Sequence, residues 1–214
     1  MKFRGLILDL DGVLVNTDEY HYEAWKETAD RLGIYFDRII NNRLRGVSRR
    51  ESLEIILERY EGELSEYKKK EVLGNKNGIY LSLLREMSPK DLDKSVLDTL
   101  HKLRDKGLKL SIGSSSKNAR VILEKIGLGD FFDAISDGNN ITNSKPDPEV
   151  FLKAAAMIGL IPSECLVVED AIAGVEAAKA GGFACAAIGD ALKSNLPEYK
   201  LSKFSDLLKI VRYA

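Results

Sequence analysis

Residues 6–25, "LILDLDGVLVNTDEYHYEAW", join a short apolar run to two closely spaced aspartates and then to polar and aromatic residues. Residues 6–10 read as a central parallel strand, because such strands are covered by helices on both faces and are apolar on both. Asp9 and Asp11 lie two positions apart, so their side chains point to the same side where the strand ends. A turn at Asp11-Gly12 explains one aspartate but leaves Asp9 unpaired at the edge of a core. The pair therefore indicates a bound cation.

Further apolar runs of strand length alternate with amphipathic segments of helix length. The predicted strands are residues 6–10, 108–112, 132–135, 165–168 and 183–188, and residues 201–214 predict a short edge strand and a closing helix. Alternating strands and helices predict an α/β fold, a doubly wound parallel sheet of the Rossmann-like kind. Ligands of such sheets bind beyond the carboxyl ends of the strands.

Residues 16–92 interrupt this alternation, because they read as several helices and contain no clear strand. They predict an all-α helical cap, residues 16–92, inserted into an α/β core made of residues 1–15 and 93–214. Trp25 and its spaced apolar neighbours are expected to form the cap's own core.

Composition excludes several classes of function. The 214 residues carry 32 Lys and Arg against 33 Asp and Glu, a formal net charge of −1, so no broad basic surface is available for nucleic acid or anionic lipid. No apolar run is long enough to cross a membrane and no signal-peptide pattern is present, so a cytoplasmic protein is expected. Cys165 and Cys185 show no metal-binding spacing and are expected to be buried core residues.

A second acidic pair, Glu169 and Asp170, follows the predicted strand at residues 165–168. Four carboxylates at one edge of a sheet are costly without a metal ion, and ligands that are all oxygen favour Mg²⁺.

Two further features favour a phosphate beside that ion. "LSIGSSSKN", residues 110–118, ends a strand in a hydroxyl-rich turn, although Ser114–Ser116 could simply cap a helix. Lys145 in "SKPDP" supplies a positive charge.

The motifs DLDGV, SSSKN, SKPDP and VEDA occur in order at successive strand ends, and with them the whole chain resembles the haloacid dehalogenase-like phosphotransferases. The resemblance implies that Asp9 is a nucleophile that becomes an aspartyl phosphate and that Asp11 is the general acid/base. It implies Mg²⁺ ligation by Asp9, the backbone carbonyl of Asp11, Glu169 and Asp170. Ser114 and Lys145 are then expected to hold the transferring oxygens.

The helical cap resembles that of the β-phosphoglucomutase group in "NTDEYHYEAW", "LRGVSRRESL" and "NKNGIY". A mutase holds a sugar bisphosphate and needs a second anion site, for which Arg49 is the cap candidate and Ser116, Lys117 and Asn118 are the core candidates. Alternatively, Arg49 and Arg50 only pair with Glu51 or Glu54 on a helix surface. The substrate-binding residues expected from the resemblance are Gly46, Val47, Ser48, Arg49, Lys76, Ser115, Ser116, Lys117 and Asn118.

Three residues near the predicted centre are expected to control the placement of Asp11. His21 and Lys76 are expected to couple cap closure to the placement of Asp11, and Thr17 is expected to hold Asp11 back by a hydrogen bond. The sequence departs from the group at Arg45, where lysine is usual, which keeps the charge but changes the geometry of any contact.

The expected function is a magnesium-dependent mutase that interconverts β-D-glucose 1-phosphate and β-D-glucose 6-phosphate through an aspartyl phosphate and glucose 1,6-bisphosphate. The partner is a small sugar phosphate, and a monomer is expected. Two alternatives remain open: a phosphatase of sugar phosphates or similar small monoesters, and a catalytically inactive phosphosugar-binding module.

Overall fold

Six parallel strands form one sheet within residues 3–211, the part of the chain that the computed structural model describes. The strands are β1 (Gly5–Leu8), β2 (Lys109–Gly113), β3 (Ala134–Ser136), β4 (Cys165–Glu169), β5 (Ala184–Ala187) and β6 (Tyr199–Lys200). Their order is β3-β2-β1-β4-β5-β6, and every neighbouring pair is parallel. The predicted doubly wound α/β fold is confirmed.

The strand order reverses between β1 and β4, which are hydrogen-bonded neighbours in the middle of the sheet. All residues of both strands are buried, as their apolar composition requires between two helical layers. In doubly wound sheets a crevice opens at such a reversal, beyond the carboxyl ends of the strands. Asp9 follows β1 directly, while Glu169 ends β4 and Asp170 follows it, so the two acidic pairs meet at this point.

The α-helices of residues 3–211 lie in the inserted segment or alternate with the strands. They are α1 (Asp18–Arg31), α2 (Arg38–Asn42), α3 (Arg49–Leu57), α4 (Glu66–Leu83), α5 (Lys94–Asp105), α6 (Ala119–Lys125), α7 (Glu149–Met157), α8 (Ile172–Ala180) and α9 (Leu207–Ile210). No helix within residues 3–211 is both long and apolar enough to cross a lipid bilayer.

The edge strand differs from its predicted position. Strand β6 precedes residues 201–214, because Tyr199 and Lys200 pair with the end of β5 and the chain then turns into the closing helix. That helix, α9, is short. Residues 212–214 of the predicted segment, like residues 1 and 2, lie outside the described residues.

Helices α1 to α4 make up most of the helical cap, and α2 is a five-residue helix that the apolar pattern did not reveal. A separate apolar cluster lies among them and includes Trp25, as predicted; its other buried members are Ala29, Ile34, Phe36, Ile40, Leu44, Leu53, Ile56 and Val72. The cap thus has an apolar core of its own, while its bounds at residues 16–92 stay a prediction.

Both cysteines are buried with free thiols, Cys165 in β4 and Cys185 in β5. They pack in the apolar cluster beneath α7 and α8, where Phe151 and Phe183 also lie. The prediction that they are core residues is confirmed.

Candidate active site

A cleft of about 1190 Å³ lies between the helical cap and the carboxyl edge of the sheet. The predicted site residues that line it are Asp9, Asp11, Thr17, His21, Gly46, Val47, Ser48, Arg49, Lys76, Ser114, Ser115, Ser116, Lys117, Asn118 and Asp170. The remaining two, Lys145 and Glu169, are fully buried behind the wall of the cleft. Residues separated by up to about 160 positions are therefore brought together by the fold.

Lys145 joins the two acidic pairs. Its ammonium donates one hydrogen bond to Asp9 Oδ1 and one to Glu169 Oε1, each 2.5 Å long. The other Glu169 oxygen, Oε2, accepts from the backbone N–H of Ala171 at 2.8 Å. A buried cation that is hydrogen-bonded to both neighbours keeps the nucleophile candidate and the β4 carboxylate in fixed positions.

The carboxylates still outnumber the cations in this region. Burial raises the pKa of Asp9 well above its usual value, Lys145 opposes that rise, and Glu169 and Asp170 add to it. Burial and then Glu169 raise the pKa of Asp170 to about 8. Burial alone would lower the pKa of Lys145, but the charges of Asp9 and Glu169 raise it. The unbalanced negative charge is what a divalent cation would relieve.

The donor atoms fit a hard divalent ion through two side chains and a backbone carbonyl. Asp9 has one carboxylate oxygen outside its bond to Lys145, the Asp170 carboxylate faces the cleft, and the Asp11 carbonyl follows on the same turn. Within residues 3–211 no three His, Cys, Asp or Glu side chains form a metal-binding group. Each carboxylate oxygen of Glu169 accepts one hydrogen bond and keeps a second lone pair, so its role as a metal ligand stays a prediction.

Two glycines allow these carboxylates to approach the backbone. A Cβ on Gly12, whose φ is +84°, would lie 2.0 Å from Asp170 Oδ2. A Cβ on Gly174, in the first turn of α8, would lie 1.9 Å from Glu169 Oε1. Any side chain at either position would overlap a carboxylate, so both glycines are required by close contact.

Asp11 accepts a hydrogen bond from the hydroxyl of Thr17, as expected. Burial raises the pKa of Asp11, while the Thr17 hydrogen bond and the charge of Lys145 oppose the rise. A carboxyl group with a raised pKa is suited to exchange protons near neutral pH. The hydrogen bond fixes where that carboxyl points.

His21, which is partly buried, and Lys76, which is buried, form a pair beside Asp11. Lys76 Nζ lies 3.1 Å from His21 Nδ1 and stands over the rings of Trp25 and Tyr80, 4.9 and 4.6 Å from their centroids. Burial lowers the pKa of both groups well below their usual values, and each is lowered further by a neighbouring cation. Trp25 therefore serves the cleft as well as the cap's core, which the sequence pattern did not reveal.

Arg49 and Arg50 behave differently although they are adjacent. Arg50 Nη2 pairs with Glu66 Oε2 at 2.7 Å on the outer surface of the cap. Arg49 lines the cleft, and its guanidinium has no ion pair or hydrogen bond with any other residue of the range 3–211. Glu51 is occupied in a capping box with Ser48 at the start of α3. The surface-pairing alternative is therefore wrong for Arg49, and the cap presents an unpaired cation to the cleft.

The serine-rich turn lies on the core side of the cleft. The backbone N–H of Ser116 donates to the Ser114 hydroxyl at 3.1 Å, and the N–H of Asn118 donates to the Ser116 hydroxyl at 3.2 Å. Helix α6 begins only at Ala119, and no side chain caps it. The serines therefore shape the turn and do not cap the helix. The Lys117 ammonium of the same turn has no ion pair with the other residues of 3–211.

The helical cap rests on the core through contacts at the rim of the cleft. Ser115 Oγ donates to the Gly46 carbonyl at 2.9 Å, and Asn118 Nδ2 donates to Asn77 Oδ1 at 2.9 Å. Ser144 of the core binds the carboxylate of Glu51. Ser144, Glu51 and Asn77 were missed by sequence reasoning, since nothing in their spacing marks a contact across two units.

Comparisons with known proteins agree on one family. A model of the haloacid dehalogenase-like hydrolase family matches residues 3–182. A β-phosphoglucomutase of Bacillus subtilis is 41% identical over 189 residues, which cover 87% of this chain and 83% of that protein. A phosphatase of phosphorylated carbohydrates from Thermotoga maritima is 32% identical over 182 residues, 84% of this chain and 82% of that protein. The crystal structure of a β-phosphoglucomutase from Clostridium difficile superposes with a TM-score of 0.92 at 32% identity, over 98% of this chain and 96% of that one.

Proposed function

The chain belongs to the haloacid dehalogenase-like hydrolase family, and from that premise we propose that it is a magnesium-dependent phosphosugar mutase. Its substrates are β-D-glucose 1-phosphate and β-D-glucose 6-phosphate, interconverted through an aspartyl phosphate and β-glucose 1,6-bisphosphate. The similarity to two β-phosphoglucomutases over most of the chain supports this choice of reaction and substrate.

The observation that carries the proposal is the unpaired guanidinium of Arg49 in the same cleft as Asp9. A hydrolase of monoesters needs only one phosphate site, at the nucleophile. A mutase must hold the second phosphate of a bisphosphate away from that site. An arginine fork without a carboxylate partner is suited to bind such a phosphate, and Ser116 and Lys117 can approach it from the core side.

Asp9 is the nucleophile of the proposed reaction. One of its carboxylate oxygens attacks phosphorus, and the bond from phosphorus to the sugar oxygen breaks. In the return half of the cycle a sugar hydroxyl attacks the aspartyl phosphate, and Asp9 is released as a carboxylate. Starting from the aspartyl phosphate, O6 of β-glucose 1-phosphate takes the phosphoryl group, the resulting bisphosphate turns round in the cleft, and Asp9 then takes the phosphoryl group from O1.

Asp11 supplies and removes the proton at the sugar oxygen. It protonates the leaving oxygen when Asp9 is phosphorylated and accepts the hydroxyl proton in the return step. Thr17 holds this carboxyl in one orientation through its hydrogen bond. His21 and Lys76 lie close by in the cap, so cap position and the environment of Asp11 are linked.

Mg²⁺ would be held by Asp9, Asp170 and the Asp11 carbonyl, with Glu169 as a further predicted ligand. When bound, it would neutralise the negative charge of the phosphoryl oxygens, which otherwise repels an anionic nucleophile. Lys145 keeps Asp9 in place through a hydrogen bond and adds a positive charge beside it. The Ser114 hydroxyl lies in the same wall of the cleft and can donate to a phosphoryl oxygen.

The direct test supplies β-glucose 1-phosphate, a trace of β-glucose 1,6-bisphosphate and Mg²⁺, and measures hexose 6-phosphate and inorganic phosphate together. Formation of hexose 6-phosphate without matching phosphate release is expected. Free phosphate without hexose 6-phosphate would reject the mutase.

Asp9→Asn is expected to abolish turnover, since an amide cannot form the acyl phosphate. Unchanged turnover would reject Asp9 as the nucleophile.

Arg49 and Arg50 offer a matched pair of variants for the distal phosphate site. Arg49→Gln is expected to lower kcat/KM for the mutase reaction by roughly 10- to 100-fold, because losing hydrogen bonds to a charged group weakens binding by about that factor. It should leave phosphorylation of Asp9 by acetyl phosphate almost unchanged, because that donor has no second phosphate. Arg50→Gln, which removes a surface pair with Glu66, is expected to resemble the wild type. Equal effects of both changes would refute the assignment.

A phosphatase of sugar phosphates is the second candidate, favoured by the similarity to the Thermotoga maritima phosphatase. It would use Asp9, Asp11, Ser114 and Lys145 in the same roles, with water in place of the sugar hydroxyl. An inactive phosphosugar-binding module is disfavoured, because both acidic pairs and Lys145 are present and Lys145 contacts a member of the first pair and of the second.

A further inference from the structure

The guanidinium of Arg45 connects three chain segments. Arg45 lies between α2 and α3; its Nη2 donates to Asp18 Oδ2 at 2.8 Å, and its Nη1 donates to Asp190 Oδ2 at 2.9 Å. Asp18 is the first residue of α1 and belongs to the helical cap, while Asp190 follows β5 and belongs to the core. The planar fork of one arginine therefore spans from cap to core, with a separate nitrogen for each carboxylate.

Within residues 3–211, the Arg45–Asp190 contact is the one ion pair that joins the helical cap to the core. The other contacts at the rim of the cleft are hydrogen bonds between hydroxyl, amide, carbonyl and carboxylate groups. The side chains of Arg45 and Asp190 are 29% and 38% exposed, so the pair is partly shielded from water. The Nε atom of Arg45 is buried without a hydrogen-bond partner, so the guanidinium is positioned by its two contacts with Asp18 and Asp190.

The anchor on the core side is next to the proposed metal carboxylate. The backbone N–H of Ala191 donates to the carbonyl of Asp170 at 2.7 Å, and a Cβ on Gly189 would lie 3.5 Å from Asp170 Cβ. Asp190, between these two residues, is held beside Asp170 by the backbone. The ion pair thus closes the side of the cleft where Asp9 and Asp170 lie.

We propose that the Asp18–Arg45–Asp190 bridge is a latch that determines whether the aspartyl phosphate is transferred to sugar or to water. The inference rests on the proposed function. In hydrolysis, a water oxygen bonds to phosphorus, the bond from phosphorus to the Asp9 oxygen breaks, and the water's proton passes to Asp11. A cap held on the core excludes the water needed for this step, whereas an open cap admits it. Arg45 acts here as a positioning residue that determines acceptor specificity.

The size of the effect follows from the exposure of the pair. A partly exposed ion pair biases an open–closed equilibrium by a factor of up to about five. The latch is therefore expected to change the ratio of hydrolysis to transfer moderately and to leave the chemistry of Asp9 intact. Asp190 also binds Lys193, through Oδ1 at 2.7 Å, which supplies a matched control on the same carboxylate.

The test compares Asp190→Asn and Arg45→Gln with Lys193→Gln in the full chain with Mg²⁺. The first two variants are expected to raise the ratio of inorganic phosphate released to hexose 6-phosphate formed by about two- to fivefold. Lys193→Gln should keep the wild-type ratio. The double variant Arg45→Gln with Asp190→Asn should equal Arg45→Gln alone, because without Arg45 the Asp190 carboxylate has no contact with the cap left to lose. A wild-type ratio in both single variants would overturn the latch.

A second measurement does not depend on turnover. Trp25 is the chain's one tryptophan, is 2% exposed and lines the cleft, so its quenching by acrylamide reports cap opening. Quenching is expected to increase in Asp190→Asn and Arg45→Gln and to stay at the wild-type level in Lys193→Gln. Unchanged quenching in the first two would contradict the latch. A wild type that forms no hexose 6-phosphate would reject the proposed function instead, and the quenching result would still decide the latch.

Discussion

Lys145 Nζ lies 2.5 Å from Asp9 Oδ1, although 136 positions separate the two residues in the chain. The contact places a fully buried cation against the proposed nucleophile, and the same ammonium also binds Glu169. Stability and catalysis thus depend on one cluster at the end of the two central strands, and substitutions in and around that cluster can separate the two contributions.

Replacing Lys145 by Met is expected to lower the free energy of unfolding by about 3 kcal/mol or more, because it leaves two buried carboxylates without their cation. Urea denaturation at neutral pH measures the change. Lys153→Met, which removes a surface pair with Glu149, should cost no more than about 0.5 kcal/mol. Adding Asp9→Asn to Lys145→Met should restore part of the loss. Equal stabilities of the two lysine variants would argue against a role of the buried cluster in folding.

Gly174→Ala is expected to be destabilising and to reduce activity, since the new Cβ would lie 1.9 Å from Glu169 Oε1 and displace the partner of Lys145. Gly74→Ala is the matched control, because Gly74 lies within α4 and its Cβ would meet no atom within 4 Å. Because alanine is favoured over glycine in a helix interior, Gly74→Ala should raise the free energy of unfolding by about 0.5–1 kcal/mol. Thermal unfolding and the mutase assay distinguish the two. A stabilised and active Gly174→Ala variant would mean that Glu169 has another position.

His21 is expected to make the protein less stable as pH falls below about 6.5. Burial and the charge of Lys76 lower its pKa in the folded state, so only the unfolded state binds the proton between that value and 6.5. Stability therefore rises with pH through this window, by up to about 1.4 kcal/mol per pH unit for one proton. His21→Asn should flatten the profile relative to wild type when unfolding is followed by urea titration at several pH values. His101→Asn, which changes the other histidine, is the control, and a slope equally reduced in both variants would contradict the assignment.

The two thiols are expected to resist alkylation in the folded protein. Burial raises the pKa of Cys165 to about 11 and raises that of Cys185 further. At pH 8 roughly one Cys165 thiol in a thousand is ionised, and thiolate is the reactive form. Labelling with a thiol reagent should be slow in buffer and should reach two groups per chain in denaturant. Rapid labelling of the native protein would show that one of the strands opens.

The parallel sheet and the position of the carboxylates could be predicted because both follow from local rules. An apolar run with acids at its carboxyl end reads as a buried parallel strand, and parallel strands must present those ends at one edge of the sheet. Asp9 and Asp170 therefore had to lie at the same edge once the alternation of strands and helices was recognised. The short helix α2 and the position of β6 were missed, since elements of five and two residues carry too little periodicity.

Only the tertiary structure decided the contacts between distant segments of the chain, which no periodicity relates. Arg49 and Arg50 have the same charge and adjacent positions, yet Arg49 is the one left unpaired in the cleft, because the start of α3 is rotated so that Arg50 meets Glu66. Glu169 binds Lys145 through a buried contact that depends on the approach of a distant loop. Arg45 is distinguished by its two carboxylate partners, and these meet it only because the cap rests on the core in one orientation. Sequence determines which residue ends each strand, whereas the packing of distant chain segments on one another selects the partners of the charged side chains.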